Sequence, residues 1–384
     1  MKIVETIVHP LAVPFERVVW TAHEPFRKAE LVLVEIRTDE GVVGVGEVST
    51  GPQAVVCKLL QELGGIIKGM DPRDIDGIWE KLFSVTHPRP GGIGGWDGLP
   101  PPLPRNQRPQ FMAALAGIDI ALWDIAGKAA GKPVFRLLGS TRTDVFTYAV
   151  GGFYVEGGSP LACADELAGY VAKGFRAVKL KTGALSLADE VARARAVRQA
   201  IGPDIQLMLD MNAPYDVETC IRFAREVEPF DIFWLEEPLH WYLQPSDFVT
   251  LAKSVSIPLA HGEREWHRHT VGEFIDSGAV RYVQFDCTRY GGFSEAMRIG
   301  RHAQAKGVLI APHSAAHIQA HIASAFGDAA YAAESVGDDR LHPIHHRIFD
   351  GGAVHRGGRV YLSEAPGFGL TIDWKAVNAL RNPG

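Results

Sequence analysis

The sequence predicts an α/β protein built on a closed (β/α)8 barrel. Three observations carry that expectation. From Val145 onward, short apolar runs alternate with longer amphipathic segments, and eight of the runs read as strands. Seven of the eight carry a polar or ionisable residue at or near the C-terminal end. From Lys181 onward these residues are Asp210, Glu236, Glu263, Asp286, His313 and Glu334, spaced 21 to 29 residues apart, close to one strand–helix unit. A barrel of this kind builds its active site at the C-terminal mouth, from strand ends and the loops that follow them.

The chain has 384 residues, more than one hydrophobic core usually organises, so a domain beyond the barrel is expected. Its first 50 residues contain a hairpin, "AELVLVEIRT" and "VVGVGEVST" around the turn "DEG". A helical pattern covers 52–83. Residues 86–109 are too rich in Gly and Pro for regular structure, and a loop of that length inside a domain is usually functional or disordered. A helix over 111–131 ends in Gly131 and Pro133. After about Leu341 the alternation stops. "VHRGGRVYLSEAPGFGLTID" reads as a hairpin and turn that returns toward the N-terminal domain.

Bulk properties narrow the function. A composition 46% hydrophobic and 22% charged is that of a soluble globular protein. A net charge of −6 gives no basic footprint for nucleic acid. Cys57, Cys163, Cys220 and Cys287 lie far apart without CxxC spacing and read as reduced, buried thiols of a cytoplasmic protein. "MKIVETIVHP" is too short and polar for a signal peptide. No apolar run reads as a membrane span.

The strand ends carry the chemistry. Residues two apart on a strand face the same side, so Lys179 and Lys181 of "FRAVKLKTG" both project into the mouth. Two ammonium groups there disfavour each other's charge and burial adds to this, so a lysine pKa should fall, toward the range of a general base. The alternative is that one or both form structural ion pairs with nearby carboxylates. Asp210, Glu236 and Glu263 on three successive strands repel unless a cation or protons intervene. Such an all-oxygen set with open water positions favours Mg²⁺ over Ca²⁺. Asp286 beside His313 would orient the imidazole and raise its basicity, giving a second acid/base candidate. His313, His317 and His321 are spaced for one helix face, but HExxH is absent and the helix should begin just after His313. His317 and His321 are therefore read as helix residues near the site or at an interface, not as zinc ligands.

Taken together, "KLK", "DMN", "LEEP", "HGE", "QFD" and "APHS" on successive strands resemble the mandelate racemase group of the enolase superfamily. "AGIDIALWDIAGKAAGKPVFRLLG" is similar to that family's cap-to-barrel junction, and the resemblance covers nearly the whole chain outside 86–109. It implies a modified (β/α)7β TIM barrel over 136–345, under an α+β capping domain formed by 1–135 and the returning segment 346–384. It implies Mg²⁺ held by Asp210, Glu236 and Glu263. It further implies Lys181 as one acid/base and the His313–Asp286 dyad as the other. Lys179 would bind the substrate carboxylate and depress the pKa of Lys181. Glu334, protonated, would hydrogen-bond a developing enolate, and Glu237 would face away if its strand stays regular. Asn212, Arg264, and Trp20 with His23 on the loop 16–28 are the further expected substrate contacts. His240 and His261 are polar neighbours. An insertion around Trp96 is expected as a lid or a subunit contact.

The implied reaction removes the proton α to a carboxylate and gives an enediolate. Loss of the β-hydroxyl then dehydrates an acid sugar to a 2-keto-3-deoxy acid. Reprotonation on the opposite face would instead racemise or epimerise a 2-hydroxy acid. The expected partner is a small carboxylate, in a homo-oligomer (dimer or octamer). A metal-dependent hydrolase on the same barrel would want a histidine-rich first strand, and "VFTYAVGG" has no histidine. A non-catalytic barrel would be expected to lose a ligand or a base, and none is missing.

Overall fold

A computed structural model describes residues 1–87, 107–337 and 340–382. The expected lid around Trp96 lies outside the described residues. The chain opens with β1 (Ile3–Trp20), β2 (Pro25–Thr38) and β3 (Val43–Val48), then α1 (Gln53–Ile67), α2 (Ile75–Phe83), α3 (Arg108–Ala130) and α4 (Val134–Leu137). The β2–β3 hairpin is antiparallel with Val32 opposite Val48. Gly131 at φ 63° ends α3 in the left-handed conformation that glycine adopts freely.

The apolar face of this sheet packs on α1 and α3. The approach of α3 to β3 needs glycine. A Cβ on Gly44 would meet the Ala121 carbonyl oxygen at 2.2 Å, and one on Gly46 would meet that of Gly117 at 2.0 Å. Among the described residues α3 is the one helix long and apolar enough to cross a membrane, but 83% of that window is buried inside the protein.

The barrel begins with β4 (Asp144–Gly151). The short β5 (Tyr154–Val155) turns back to β1 as the fourth cap strand. Then come α5 (Cys163–Ala172), β6 (Ala177–Lys181), α6 (Leu187–Ile201), β7 (Gln206–Asp210), α7 (Val217–Val227), β8 (Ile232–Glu236) and α8 (Pro245–Ser254). They continue as β9 (Leu259–His261), α9 (Arg268–Ser277), β10 (Val280–Val283), α10 (Gly292–Ala305), β11 (Leu309–Ile310), α11 (Ala316–Phe326) and β12 (Ala333–Val336). The parallel order is β12-β4-β6-β7-β8-β9-β10-β11. The ends meet at a parallel bridge, Ile310 to Ala330, and Tyr331 N donates to the Ile310 carbonyl. Seven strands are each followed by a helix and the eighth is not, so the barrel is (β/α)7β.

Inside it, Tyr148, Ala177, Met208, Trp234, Ala260, Tyr282, Ala311 and Ala332 form one buried cluster. Four large side chains, Tyr148, Met208, Trp234 and Tyr282, and four alanines fill the ring as a floor below the mouth.

The tail forms α12 (His345–Ile348), β13 (Phe349–Gly351), β14 (Val354–Arg356), β15 (Arg359–Tyr361), β16 (Leu370–Ile372) and α13 (Trp374–Ala379). The expected hairpin is β14–β15, but it does not go to the cap. It extends the barrel sheet, with β15 antiparallel to β4. The return to the cap comes later. Val377 of α13 is buried against Leu11, Val13 and Leu31, and Asn382 N donates to the Pro10 carbonyl.

The glycine contacts yield a test. Gly46→Ala should cost about 1–3 kcal/mol through overpacking. Exposed Gly65 in α1 has open space where a Cβ would go, so Gly65→Ala should gain about 0.5–1 kcal/mol. Thermal midpoints of the two variants should move in opposite directions.

Candidate active site

Strand register assembles the site. Lys181 lies opposite Asp210, and Asp210 opposite Glu236, across three adjacent parallel strands. Glu263 stands two residues past β9, while Asp286 and His313 stand three residues past β10 and β11. These carboxylates are buried. One oxygen each from Asp210, Glu236 and Glu263 lie within 4.8 Å of one another.

Around this set the charges interlock. Lys179 Nζ donates to Glu236 Oε1 and Glu334 Oε2, both at 2.5 Å, and lies 3.3 Å from Asp210 Oδ2. Lys181 Nζ donates to Asp210 Oδ2. Two floor residues reach upward: Trp234 Nε1 donates to Glu236 Oε2 at 3.1 Å and the Tyr148 hydroxyl to Glu334 Oε2 at 3.0 Å. Gln284 Nε2 also donates to Glu236 Oε2, at 2.6 Å. On the far side His313 Nδ1 is 2.9 Å from Asp286 Oδ2, while its Nε2 is 3.1 Å from Glu263 Oε2 and 3.9 Å from Glu334 Oε1. Asp286 Oδ1 accepts from Thr288 N and Oγ1, which fixes the carboxylate that orients the imidazole. Arg289 donates to Glu263 Oε1 at 3.0 Å.

The environment splits the carboxylates. Burial raises the Glu236 pKa and the Asp210 charge adds to it, so Glu236 is held well above the usual range despite Lys179. Burial opposes ionisation of Glu263 too, but His313, Arg289 and Lys181 outweigh it and hold Glu263 well below. Asp210 is likewise lowered against burial, by Lys181 and Lys179.

Lys179 corrects an expectation. Two lysines side by side were to depress each other's pKa. Burial does push Lys179 down, but Glu236, Glu334, Tyr148 and Asp210 outweigh it, and its pKa is raised well above the ordinary value. Its side chain is 0% exposed, and the ion pairs around its ammonium group are with Asp210, Glu236 and Glu334. The ion-pair alternative describes Lys179.

Between the loops after β7, β8 and β9 lies a cavity of about 920 Å³ that meets the carboxylate set at Glu237 and is not lined by Asp210, Glu236, Glu263, Lys181 or His313. Glu24 of the cap, Glu237, Trp241, His261, Arg264 and Trp266 contribute to its walls. Of the expected substrate contacts Arg264 is placed there; Trp20, His23, Asn212 and Lys179 are not on its lining. Trp20 stacks on Tyr154 at 5.9 Å. His23 Nε2 lies 2.8 Å from the Ala213 carbonyl, and its ring packs on Trp241. Asn212 adopts φ 50° and keeps a buried Oδ1 without a hydrogen-bond partner.

Glu237 does not face away. The chain turns left-handed there, at φ 42°, so strand alternation ends. Its buried carboxylate accepts from Arg264 Nε at 2.7 Å. Burial raises the Glu237 pKa and the nearby Glu263 charge adds to it. Sequence reasoning missed Glu237, Gln284 and Arg289. Gln284 had a signal, a polar residue between apolar neighbours two positions before Asp286. His317 and His321 do lie on α11, but they diverge. His317 meets Glu47 of the cap, and His321 Nδ1 accepts from Phe135 N. Burial lowers the His321 pKa to about 3.

Comparisons with known proteins agree with this architecture. The family described as mandelate racemase / muconate lactonizing enzyme, N-terminal domain, matches residues 3–139, and enolase C-terminal domain-like matches 162–376. The chain is 32% identical to arabinonate dehydratase of Saccharolobus solfataricus, over 89% of this chain and 88% of that one. It is 33% identical to D-galactarolactone cycloisomerase of Agrobacterium fabrum, over 98% and 96%. It is 31% identical to L-talarate/galactarate dehydratase of Salmonella typhimurium, over 96% and 87%. A crystal structure of the last enzyme with Mg and L-lyxarohydroxamate superposes with a TM-score of 0.85 at 28% identity, covering 99% of this chain and 93% of that one. The chain belongs to the mandelate racemase/muconate lactonizing enzyme family of the enolase superfamily.

Proposed function

We propose that the protein is a Mg²⁺-dependent acid-sugar dehydratase that forms a 2-keto-3-deoxy acid. What supports dehydration is the similarity to arabinonate dehydratase and L-talarate/galactarate dehydratase, and two candidate acid/base groups flank the carboxylate set that the reaction would use. Lys181 contacts that set at Asp210, and His313 at Glu263.

The donor set fits a hard divalent cation. Asp210, Glu236 and Glu263 are buried and each offers a carboxylate oxygen to one place, an all-oxygen set of the kind such a cation takes. Asp210, Glu236 and Glu263 would hold the ion. When bound, Mg²⁺ supplies positive charge to the substrate carboxylate and to the charge that develops on it.

The chain's own residues supply the proton chemistry. One of Lys181 and His313 takes the proton from C2. The C2–H electrons then form the enediolate, which collapses with loss of the C3 hydroxyl. His313, held by Asp286, gives that leaving oxygen its proton, and the enol left behind loses its C2 hydroxyl proton and takes one at C3 to become the 2-keto-3-deoxy acid. Glu334 Oε2 is occupied by Lys179 and Tyr148, so Oε1, on the His313 side, is the oxygen placed toward substrate. Lys179 acts as a positioning residue for Glu236 and Glu334. Arg264 and the cavity wall beside it are placed for the sugar chain.

A second reading is cycloisomerisation, favoured by the relative aligned over 98% of this chain. It uses the same proton removal with a ring oxygen in place of hydroxide as the leaving group. Racemisation of a 2-hydroxy acid would use the same two groups without a leaving group. The free thiols of the four cysteines fit a reducing, cytoplasmic setting.

A panel of aldonic and aldaric acids and their lactones, with Mg²⁺ in D2O, tests the proposal. Keto acid from one stereochemical set supports dehydration. Conversion of a lactone alone supports the second reading, and deuterium at C2 with inversion but no keto acid supports racemisation. No turnover and no exchange across the panel would overturn the acid-sugar assignment. Lys181→Met and His313→Asn should each lower keto acid formation about 10²–10⁴-fold, the usual worth of a general acid or base. The variant that retains its proton-abstracting group should still exchange C2 hydrogen. Treatment with EDTA should abolish turnover in the wild type, and added Mg²⁺ should restore it.

A further inference from the structure

A second group of metal-ligating side chains lies outside the mouth, where cap, barrel and tail meet. Glu47 is the penultimate residue of β3, His317 sits in the first turn of α11, and His345 opens α12. One atom from each lies within 4.8 Å of the other two. Glu47 is fully buried, while the two imidazoles are about one-fifth exposed and leave a way in.

Two of the three ligand-to-ligand distances match a metal centre. Glu47 Oε2 is 3.2 Å from His317 Nε2 and 3.3 Å from His345 Nε2. Ligand atoms at about 2.0–2.1 Å around a tetrahedral Zn²⁺ lie about 3.3–3.4 Å apart. Hydrogen bonding leaves the group incomplete. His345 Nδ1 and Glu47 Oε1 are buried without a hydrogen-bond partner. Orphaned buried polar atoms of this kind call for an explanation such as a bound ion. Two imidazoles and one carboxylate suit Zn²⁺ and its borderline neighbours better than Mg²⁺.

We infer that Glu47, His317 and His345 form a second metal site, for a Zn²⁺-class ion, that ties the cap strand β3 to the barrel helix α11 and the tail helix α12. The site is separate from the Asp210 carboxylate set. It bears on the mouth through α11, because Gln319 on the same helix donates to the His313 carbonyl and approaches Asp286 Oδ1 at 3.4 Å.

The test uses the full chain carrying Asp210→Asn, which disables the carboxylate set, with Co²⁺ as the probe and Mg²⁺ in excess. The inference expects one Co²⁺ per chain, with the strong visible absorption of a four-coordinate ion, displaced by Zn²⁺. It also expects a rise of several degrees in the thermal midpoint. His317→Asn and His345→Asn in that background should each bring the stoichiometry from one to zero, with circular dichroism unchanged. Absence of bound Co²⁺ in the Asp210→Asn protein overturns the inference without needing the histidine variants to fold. Binding that survives both histidine substitutions overturns it as well.

Discussion

Burial of like charges at one end of the barrel is the constraint on which the rest of the structure turns. Ionised carboxylates removed from water cost several kcal/mol each unless they are paired and hydrogen-bonded. The fold meets that cost from three directions. Lys179 and Lys181 rise from β6 below Asp210 and Glu236. Arg264 and Arg289 come in from the loops after β9 and β10. Trp234, Tyr148 and Gln284 supply neutral donors from the barrel wall. What remains is a cluster of buried acids, with Glu236 and Glu237 pushed toward the neutral form, an imidazole on one side and an ammonium group on the other. On the proposed reading a divalent cation would take its place among these acids, and the flanking groups would carry the proton.

That arrangement depends on parts of the chain far from it. The floor ring uses aromatic residues whose polar ends point at Glu236 and Glu334, so the packing of the barrel and the orientation of two acids are one problem. The cap reaches the mouth through Glu24 and through His23, which meets the Ala213 carbonyl. It can sit there because Gly44 and Gly46 let α3 close on β3. Glu47 follows directly, which carries the cap's own buried acid to α11 and the tail.

The barrel was legible because its period is long and each strand ends on a residue unlike the apolar run before it. Strand register then follows from parallel pairing, which is why Lys181, Asp210 and Glu236 could be placed together from spacing. Other features depend on what single-segment reasoning omits. Glu237 follows a residue that obeys strand alternation, but positive φ at Glu237 itself turns the chain and redirects the side chain. The two lysines read as mutually repelling when only β6 is in view. Carboxylates from β7, β8 and β12 reverse the sign for Lys179. The β14–β15 hairpin was visible, but its docking on β4 was not, since edge pairing is a tertiary choice. The two-residue β5 carries too short a pattern to be read at all.

The central claim is that the buried acids of the mouth form one binding site for a divalent cation. Calorimetric titration of the wild-type chain with Mg²⁺ tests it most directly, with the Asp210→Asn chain titrated alongside. The account predicts saturable binding of one Mg²⁺ per chain in the wild type and none in the variant, with both proteins folded. No saturable heat in the wild type at millimolar Mg²⁺, or equal binding by the two chains, would contradict it.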